Sequence, residues 1–223
     1  MKKDMHPFTQ TMISDVIWKI TRNEYESGAK LPSIESIAET FGVARTTVRE
    51  AIKYMEFTGL VYSIHGKGTF ITDFSPSSNG VAFLEHVVEL RLMIEGYGIK
   101  KAAVNRTEDD IAELEELLVK MDNTTSFPKR FIEIDRLFHS AISKASKNPF
   151  ISNILQNTIG MFAAVQDNVI DIPNYPFDLI SKEHHLMVEA IKNKDLEMAQ
   201  EVIEQHMATY KNIWLVKKQL SVK

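Results

Sequence analysis

One stretch, from Leu31 to Ile71, constrains this chain more than any other. It holds two short helical patterns that meet at Gly42, followed by two β-rich runs on either side of a turn of sequence HGKG. Two helices joined by a tight turn and followed by a hairpin form the order of a winged helix-turn-helix. A preceding amphipathic helix, expected over residues 9–21, completes a unit of three helices and a wing.

The first helix of the stretch has clear local ends, with Ser33 as the expected N-cap and Gly42 as the residue that stops it. The second helix alternates an apolar side with a face rich in arginine and threonine, donors suited to phosphate oxygens and to guanine edges in the major groove. Such a face can also be no more than a solvated surface. The expected DNA contacts on this helix and on the turn of the wing are Arg45, Thr46, Thr47, Arg49, His65, Gly66 and Lys67.

These residues resemble the winged helix-turn-helix of the GntR family of bacterial transcription regulators, whose pattern LPS…LA…GV.R..VREA…L…GL……GKGTF runs through about forty residues here. The resemblance implies DNA binding. Two positions depart from it: Ile34 and Glu35 stand where the family usually has Glu-Arg, and Ala44 stands where it prefers a Ser or Thr cap. Both departures bear on the operator sequence, and the missing cap costs roughly 1 kcal/mol.

The charge of the chain does not by itself indicate a nucleic-acid partner. The net charge is −4, and residues 1–74 hold nine Lys or Arg against nine Asp or Glu. DNA affinity must therefore come from a local patch, and we expect it to be strongly sensitive to salt. The chain has no cysteine, which excludes a disulfide framework and fits a reducing compartment. No apolar segment follows the N-terminal lysines, so a cytoplasmic protein without a secretion signal is expected.

We expect a mainly α fold in two domains. Residues 1–74 form the DNA-binding domain, and the polar residues 75–82, rich in Pro, Ser and Gly, form a linker. Residues 83–218 show helical periodicity alone and predict an all-α bundle of about six helices. The expected helices cover residues 81–105, 107–121, 126–146, 149–169, 178–192 and 195–218.

Three of these helices place titratable residues on their apolar stripes, where a hydrophobic side chain is expected. A single core histidine is usually bonded to a neighbour, and a lone buried aspartate is costly unless it is paired. Together, one carboxylate and three imidazoles suit zinc, nickel, manganese or iron in the interior of a bundle. The predicted ligands are Asp135, His139, His184 and His206. His185 points about 100° away around its helix and is left out.

This set resembles the FCD effector domain of FadR-type GntR regulators, whose signatures appear here as DRLFH at 135–139, Glu183-His184 and Ala199…His206. The resemblance implies a divalent transition metal, with zinc expected first. Arg91 admits two interpretations. It can form an ordinary i,i+4 pair with Glu95, or, as the family's R…E pattern favours, it can hold the carboxylate of a small organic or sugar acid.

Three functions remain open from the sequence. In the first, a homodimeric regulator reads a pseudo-palindromic operator under the control of a small carboxylate bound at the metal. In the second, the metal itself is the signal and Arg91 is dispensable. In the third, the Asp and His residues activate water in a metal-dependent hydrolase, although the sequence offers no separate general base or nucleophile. We therefore expect a transcription regulator, either a repressor or an activator, and no enzyme.

Overall fold

The computed structural model of the chain describes residues 7–21, 24–26, 28–72, 80–167, 170 and 172–221. The chain divides into two compact units, residues 1–86 with 160–165 and residues 87–159 with 166–223. Most of the predicted linker, residues 75–79, lies outside the described residues. Gly80, inside the predicted linker range, already begins a helix. The domain limits given above therefore stay a prediction.

The first unit contains the predicted winged helix-turn-helix. Its elements are α1 (Pro7–Thr21), α2 (Ile34–Phe41), α3 (Arg45–Phe57), β1 (Val61–Ile64) and β2 (Gly68–Ile71). The two strands pair antiparallel, with Val61 opposite Ile71. Ser33 accepts a hydrogen bond from the backbone of Ser36, and Gly42 takes the left-handed conformation (φ 63°) that ends α2. Both predicted ends of this helix are confirmed because the signals are local to the chain.

Apolar side chains from each element hold this unit together. Ile17 of α1, Val48 and Met55 of α3, and Ile71 of β2 are almost completely buried. Since the buried residues of α3, which also include Ala51 and Ile52, recur at short helical intervals on one side, the opposite face of that helix is left to solvent. The core therefore fixes which side of α3 presents its arginines.

The six helices predicted after the wing are present, with ends close to those expected. They are α4 (Gly80–Asn105), α5 (Glu108–Asp122), α6 (Pro128–Ala145), α7 (Pro149–Asp167), α8 (Phe177–Asn193) and α9 (Leu196–Ser221). The expected end of α7, at residues 168 and 169, lies outside the described residues. Thr107 and Asp110 form the capping box at the start of α5, as their spacing predicts. A mainly α fold with a winged helix-turn-helix and a helical bundle is thereby confirmed.

Large apolar side chains fill much of the interior of the bundle. Phe131 and Phe138 of α6, Leu114 of α5 and Met187 of α8 are fully buried. Over the described part of the chain, no helix is both long and apolar enough to cross a membrane.

Candidate functional site

Four potential metal ligands come together inside the second unit. Each offers one ligand atom, and these four atoms all lie within 4.8 Å of one another. They come from three helices, α6, α8 and α9, and every one of the side chains is buried. The cluster consists of Asp135, His139, His184 and His206. Sequence spacing predicts three of them on inward faces and His139 on an adjoining edge, and the structure brings the four side chains together.

The atoms of the cluster are arranged as ligands of a cation would be. His184 Nε2 lies 3.3 Å from His139 Nε2 and 3.3 Å from Asp135 Oδ1. His206 Nε2 is buried and has no hydrogen-bond partner. Because a buried polar atom without a partner is costly, an ion bound by His206 Nε2 and its three neighbours would satisfy it. The residues present therefore suit a divalent transition metal.

Two of the histidines are oriented by carboxylates. His139 Nδ1 lies 2.6 Å from Glu95 Oε2, and His206 Nδ1 lies 2.8 Å from Glu183 Oε2. An ionised carboxylate only accepts, so each Nδ1 donates its hydrogen and each Nε2 keeps its lone pair for the cluster. Thr209 donates a further hydrogen bond to Glu183, at 2.6 Å. This pattern of carboxylate, histidine and ligand position is typical of metal sites.

The third histidine, His184, has a different environment. Its Nδ1 lies 3.0 Å from the thioether sulfur of Met121, a weak acceptor. Burial, together with His206 and His139, lowers the pKa of His184 well below its usual value. Burial also lowers the pKa of His206, although Glu183 opposes that effect. Lowered values favour the neutral imidazole, which is the form that binds metals.

Asp135 is held by two further side chains that the sequence did not single out. Gln166 donates through Nε2 to Asp135 Oδ2. Tyr210 donates its hydroxyl hydrogen to Asp135 Oδ1 at 3.3 Å and accepts a bond from Gln166 at 3.0 Å. These contacts leave the carboxylate oriented toward the histidines. Tyr210 lies one helical turn after His206 on α9, and its buried ring brings the hydroxyl to Asp135.

Arg91 lies beside the cluster and is buried. Its Nε donates to Glu95 Oε1 at 2.6 Å, and its Nη2 donates to Glu95 Oε2 at 3.3 Å. Burial opposes the charge of Glu95, but Arg91 and His139 hold the pKa of this carboxyl well below its usual range. The pair is thus the i,i+4 contact that the sequence allowed as one interpretation of Arg91. Its predicted contact with an effector stays a prediction.

The residue next to the cluster, His185, faces elsewhere. Its side chain is half exposed, and Nε2 lies 3.0 Å from Asp122 Oδ2. Its exclusion from the predicted ligand set agrees with this position. His184 and His185 therefore form a natural pair for experiments, since adjacent imidazoles have opposite surroundings.

The predicted DNA contacts lie on the surface of the first unit. Arg45, Thr46 and Arg49 are exposed on α3, and Thr47 is half buried. The three wing residues His65, Gly66 and Lys67 are exposed at the turn between the strands. Their contact with DNA stays a prediction.

Two details of this surface concern the departures from the family pattern. Arg45 Nη1 lies 3.6 Å from Glu35 Oε1, and both side chains are more than half exposed. Glu35 therefore partly offsets the charge of Arg45. Ala44 occupies the N-cap of α3 in an extended conformation and provides no side-chain bond, as the sequence predicts.

Comparison with known proteins agrees with this architecture. Residues 10–71 match the model of bacterial regulatory proteins of the gntR family, and residues 86–209 match the FCD domain. The transcriptional repressor NanR of Enterobacter sp. (strain 638) is 25% identical, over 93% of this chain and 87% of the relative. NanR of Salmonella typhimurium is 26% identical, over 87% of this chain and 80% of the relative.

Solved structures show the same fold. Escherichia coli McbR/YncC aligns with a TM-score of 0.65 at 21% identity, over 93% of this chain and 97% of the other. A GntR protein of Streptococcus agalactiae aligns with a TM-score of 0.51 at 24% identity, over 92% of this chain and 99% of the other.

The winged domain and the matched family define a DNA-binding transcription regulator, and not an enzyme. The chain belongs to the GntR family of bacterial regulatory proteins and carries an FCD domain, which covers more than half of its length. The hydrolase interpretation of the buried cluster is thereby set aside.

Proposed function

We propose that this regulator is a repressor whose binding to its operator is controlled by a small carboxylate, held at a divalent metal in the bundle. One observation carries the proposal: four buried donor atoms lie within 4.8 Å of one another, and one of them, His206 Nε2, has no partner. Zinc is the first expectation, because imidazole and carboxylate ligands suit it. Nickel, manganese and iron are the alternatives.

The protein's own side chains prepare the site for such an ion. Glu95 and Glu183 hold two imidazoles with Nε2 toward the cluster, and Gln166 and Tyr210 orient Asp135. A bound divalent ion would supply a Lewis acid that attracts the carboxylate of an effector.

Arg91 provides the second attraction for an effector. Its guanidinium matches the geometry of a carboxylate, yet it is engaged by Glu95. An incoming acid would therefore compete with Glu95, which also holds His139. In this proposal, an acid that binds Arg91 of α4 displaces Glu95, and the change at Glu95 alters the position of His139 on α6.

On the DNA side, we propose that two copies of α3 in a homodimer read the two halves of a pseudo-palindrome. Arg45 and Arg49 would contact base edges and phosphates, with Lys67 at the tip of the wing. Half-sites one helical turn apart, about 10 base pairs, are the spacing that such dimers recognise.

The proposal is tested by operator binding under defined metal conditions. An operator fragment is first selected from random duplex DNA, and its affinity is measured by fluorescence anisotropy with zinc-loaded and with chelator-treated protein. We expect an acid from a panel of organic and sugar acids to change the affinity of the zinc-loaded protein by roughly 5- to 150-fold. If no acid in the panel changes it, control by a carboxylate is wrong.

A second candidate, in which the metal alone is the signal, is supported by the Glu95 contacts. Arg91 and His139 both have a partner in Glu95 without any effector. The variant Arg91→Gln separates the two. If an acid is the effector, this variant loses the response to the acid and keeps its affinity for zinc. If zinc is the signal, the variant responds to zinc as the parent does and no acid has an effect.

A further inference from the structure

The chain between α1 and α2 adds a third edge to the wing. The backbone N–H of Leu31 donates to the carbonyl oxygen of Thr69 at 2.8 Å. The preceding residue, Lys30, forms an isolated antiparallel bridge with Phe70 of β2. Successive side chains of a strand point to opposite faces. Because Leu31 is buried and Lys30 is exposed, the lysine points to the outer face of the wing.

The side chain of Lys30 lies across Gly68, next to the turn of the wing. A Cβ atom placed on Gly68 would be 2.6 Å from Lys30 Cε and 3.4 Å from Lys30 Nζ. Gly68 has a φ of 118°, a conformation that favours glycine, so no side chain at this position displaces the lysine. The stem of Lys30 is thereby seated on the backbone, and its ammonium lies beside the residue that follows Lys67 in the chain.

The ammonium of Lys30 has no competing anion. Within the described residues, no carboxylate lies at ion-pair distance from its Nζ. Two other lysines of the same unit differ in this respect, since Lys19 lies 2.9 Å from Asp15 and Lys53 lies 3.1 Å from Glu50. A lysine whose stem is packed and whose charge is not neutralised is prepared to bind an external anion.

We propose that Lys30 binds a phosphate of the DNA backbone, next to the position that the turn of the wing reaches. This inference rests on the proposed function, in which Lys67 contacts DNA at the tip of the wing. The ammonium of a lysine is a compact point charge, and a contact to phosphate positions the protein without reading a base. Lys30 would therefore increase the affinity for duplex DNA of any sequence and hold the wing in register.

The test compares full-length, zinc-loaded parent protein with Lys30→Gln on two duplexes of equal length, the selected operator and a random sequence. Fluorescence anisotropy gives the dissociation constant at salt concentrations from about 50 to 200 mM. Each phosphate contact contributes about 0.9 to the slope of log K against log salt, so a dimer that loses one contact from each wing should lose about 1.8. We expect the affinity at about 100 mM salt to fall by more than roughly fivefold on both duplexes.

Three further variants interpret this result. Lys30→Arg keeps the charge and should bind both duplexes as the parent does. Lys129→Gln removes the same charge from an exposed position on α6 of the second unit and should change neither the slope nor the affinity. Lys67→Gln removes the proposed contact at the tip of the wing and should lower the slope by a similar amount. Because glutamine keeps part of the stem over Gly68, the melting temperature of Lys30→Gln should match that of the parent.

The other outcomes would overturn the inference, and one of them also reaches the proposed function. If Lys67→Gln lowers the slope and Lys30→Gln behaves like Lys129→Gln, only the inference about Lys30 is wrong. If neither wing variant lowers the slope, the wing contact of the proposed function fails as well. If Lys30→Arg loses as much affinity as Lys30→Gln, the residue serves the packing of the wing and the phosphate contact is wrong. A loss confined to the operator would mean that Lys30 reads a base, which also contradicts it.

Discussion

The two candidate sites of this protein are built in opposite ways. The predicted DNA contacts come from one short stretch of chain and lie exposed on α3 and the wing. The candidate metal cluster is assembled from three helices, and all four of its side chains are buried. An exposed arginine is solvated while DNA is absent, whereas a buried ligand must have its partners inside the protein. The buried site therefore carries a second layer of residues that the surface site does not need.

The first prediction concerns the buried site and has the largest expected effect. His184→Ala removes a ligand from the cluster, while His185→Ala alters the adjacent, half-exposed imidazole. We expect His184→Ala to weaken zinc binding by more than 100-fold, beyond the cost of losing a supporting residue. Competition with a fluorescent chelator measures the affinity. Equal losses in the two variants would contradict the assignment of the ligands.

The second prediction asks how much the supporting layer contributes. Glu183 orients His206 and accepts a bond from Thr209. Glu183→Gln keeps the size of the side chain but replaces a charged acceptor, and we expect zinc affinity to fall by roughly 10- to 100-fold. Glu189→Gln, at an exposed position on the same helix, is the control and should have no effect. If Glu183→Gln binds zinc as tightly as the parent does, Glu183 does not support the buried site. The main difference between the two candidate sites would then disappear.

The third prediction concerns the exposed site. Arg49→Ala should weaken binding to the selected operator by about tenfold, within the range of 1–3 kcal/mol for one good contact to a base. Because the side chain is exposed, the stability of the fold should not change. Arg130→Ala, an exposed arginine of the second unit, is the matched control. If Arg49 contacts a phosphate and no base, the loss will be similar on all sequences and the salt dependence will decrease.

The same contrast explains what the sequence could predict. The ends of α2 follow from Ser33 and Gly42, a signal contained within one helix. The four predicted metal ligands follow from positions on or beside the apolar stripes of three helices, each stripe again a signal within one helix. The helix content and the order of the elements were predictable for the same reason. The FCD and GntR resemblances rested on residues that the structure places as expected.

The supporting residues were harder to predict because their roles depend on how helices pack against one another. Glu95 was considered only as a partner of Arg91, yet it also holds His139. Gln166 of α7 meets Asp135 of α6, a contact that no pattern within either helix reveals. A search for one carboxylate acceptor for each buried imidazole could have indicated Glu183, which directly precedes His184 in the chain.

The fourth prediction compares helix starts in the two units. Thr107 caps α5 through a complete capping box, whereas Ala44 gives α3 no side-chain cap. Because Ala44 already has an extended backbone, Ala44→Ser should stabilise the DNA-binding unit by about 1 kcal/mol. For a domain of this size, that corresponds to an increase in melting temperature of about 4–8 °C, measured by circular dichroism. Thr107→Ala is the converse variant and should destabilise the second unit.

The smallest expected effect concerns pH. Burial opposes the ionisation of Asp110, but hydrogen bonds from Lys147 and Thr107 hold its pKa below the usual value. A carboxyl with a lowered pKa in the folded protein stabilises it above the usual carboxyl pKa, and this contribution is lost as the pH falls through the lowered value.

Asp110→Asn should therefore reduce the free energy of unfolding at pH 7 by a few tenths of a kcal/mol, the size of an exposed ion pair, and the difference from the parent should shrink toward pH 3. The start of α3 has no titratable cap, so Ala44→Ser should give the same stabilisation at both values. Urea unfolding at pH 7 and pH 3 measures both variants. A difference for Asp110→Asn that persists at pH 3 would show that the capping bonds, and not the charge, stabilise the start of α5.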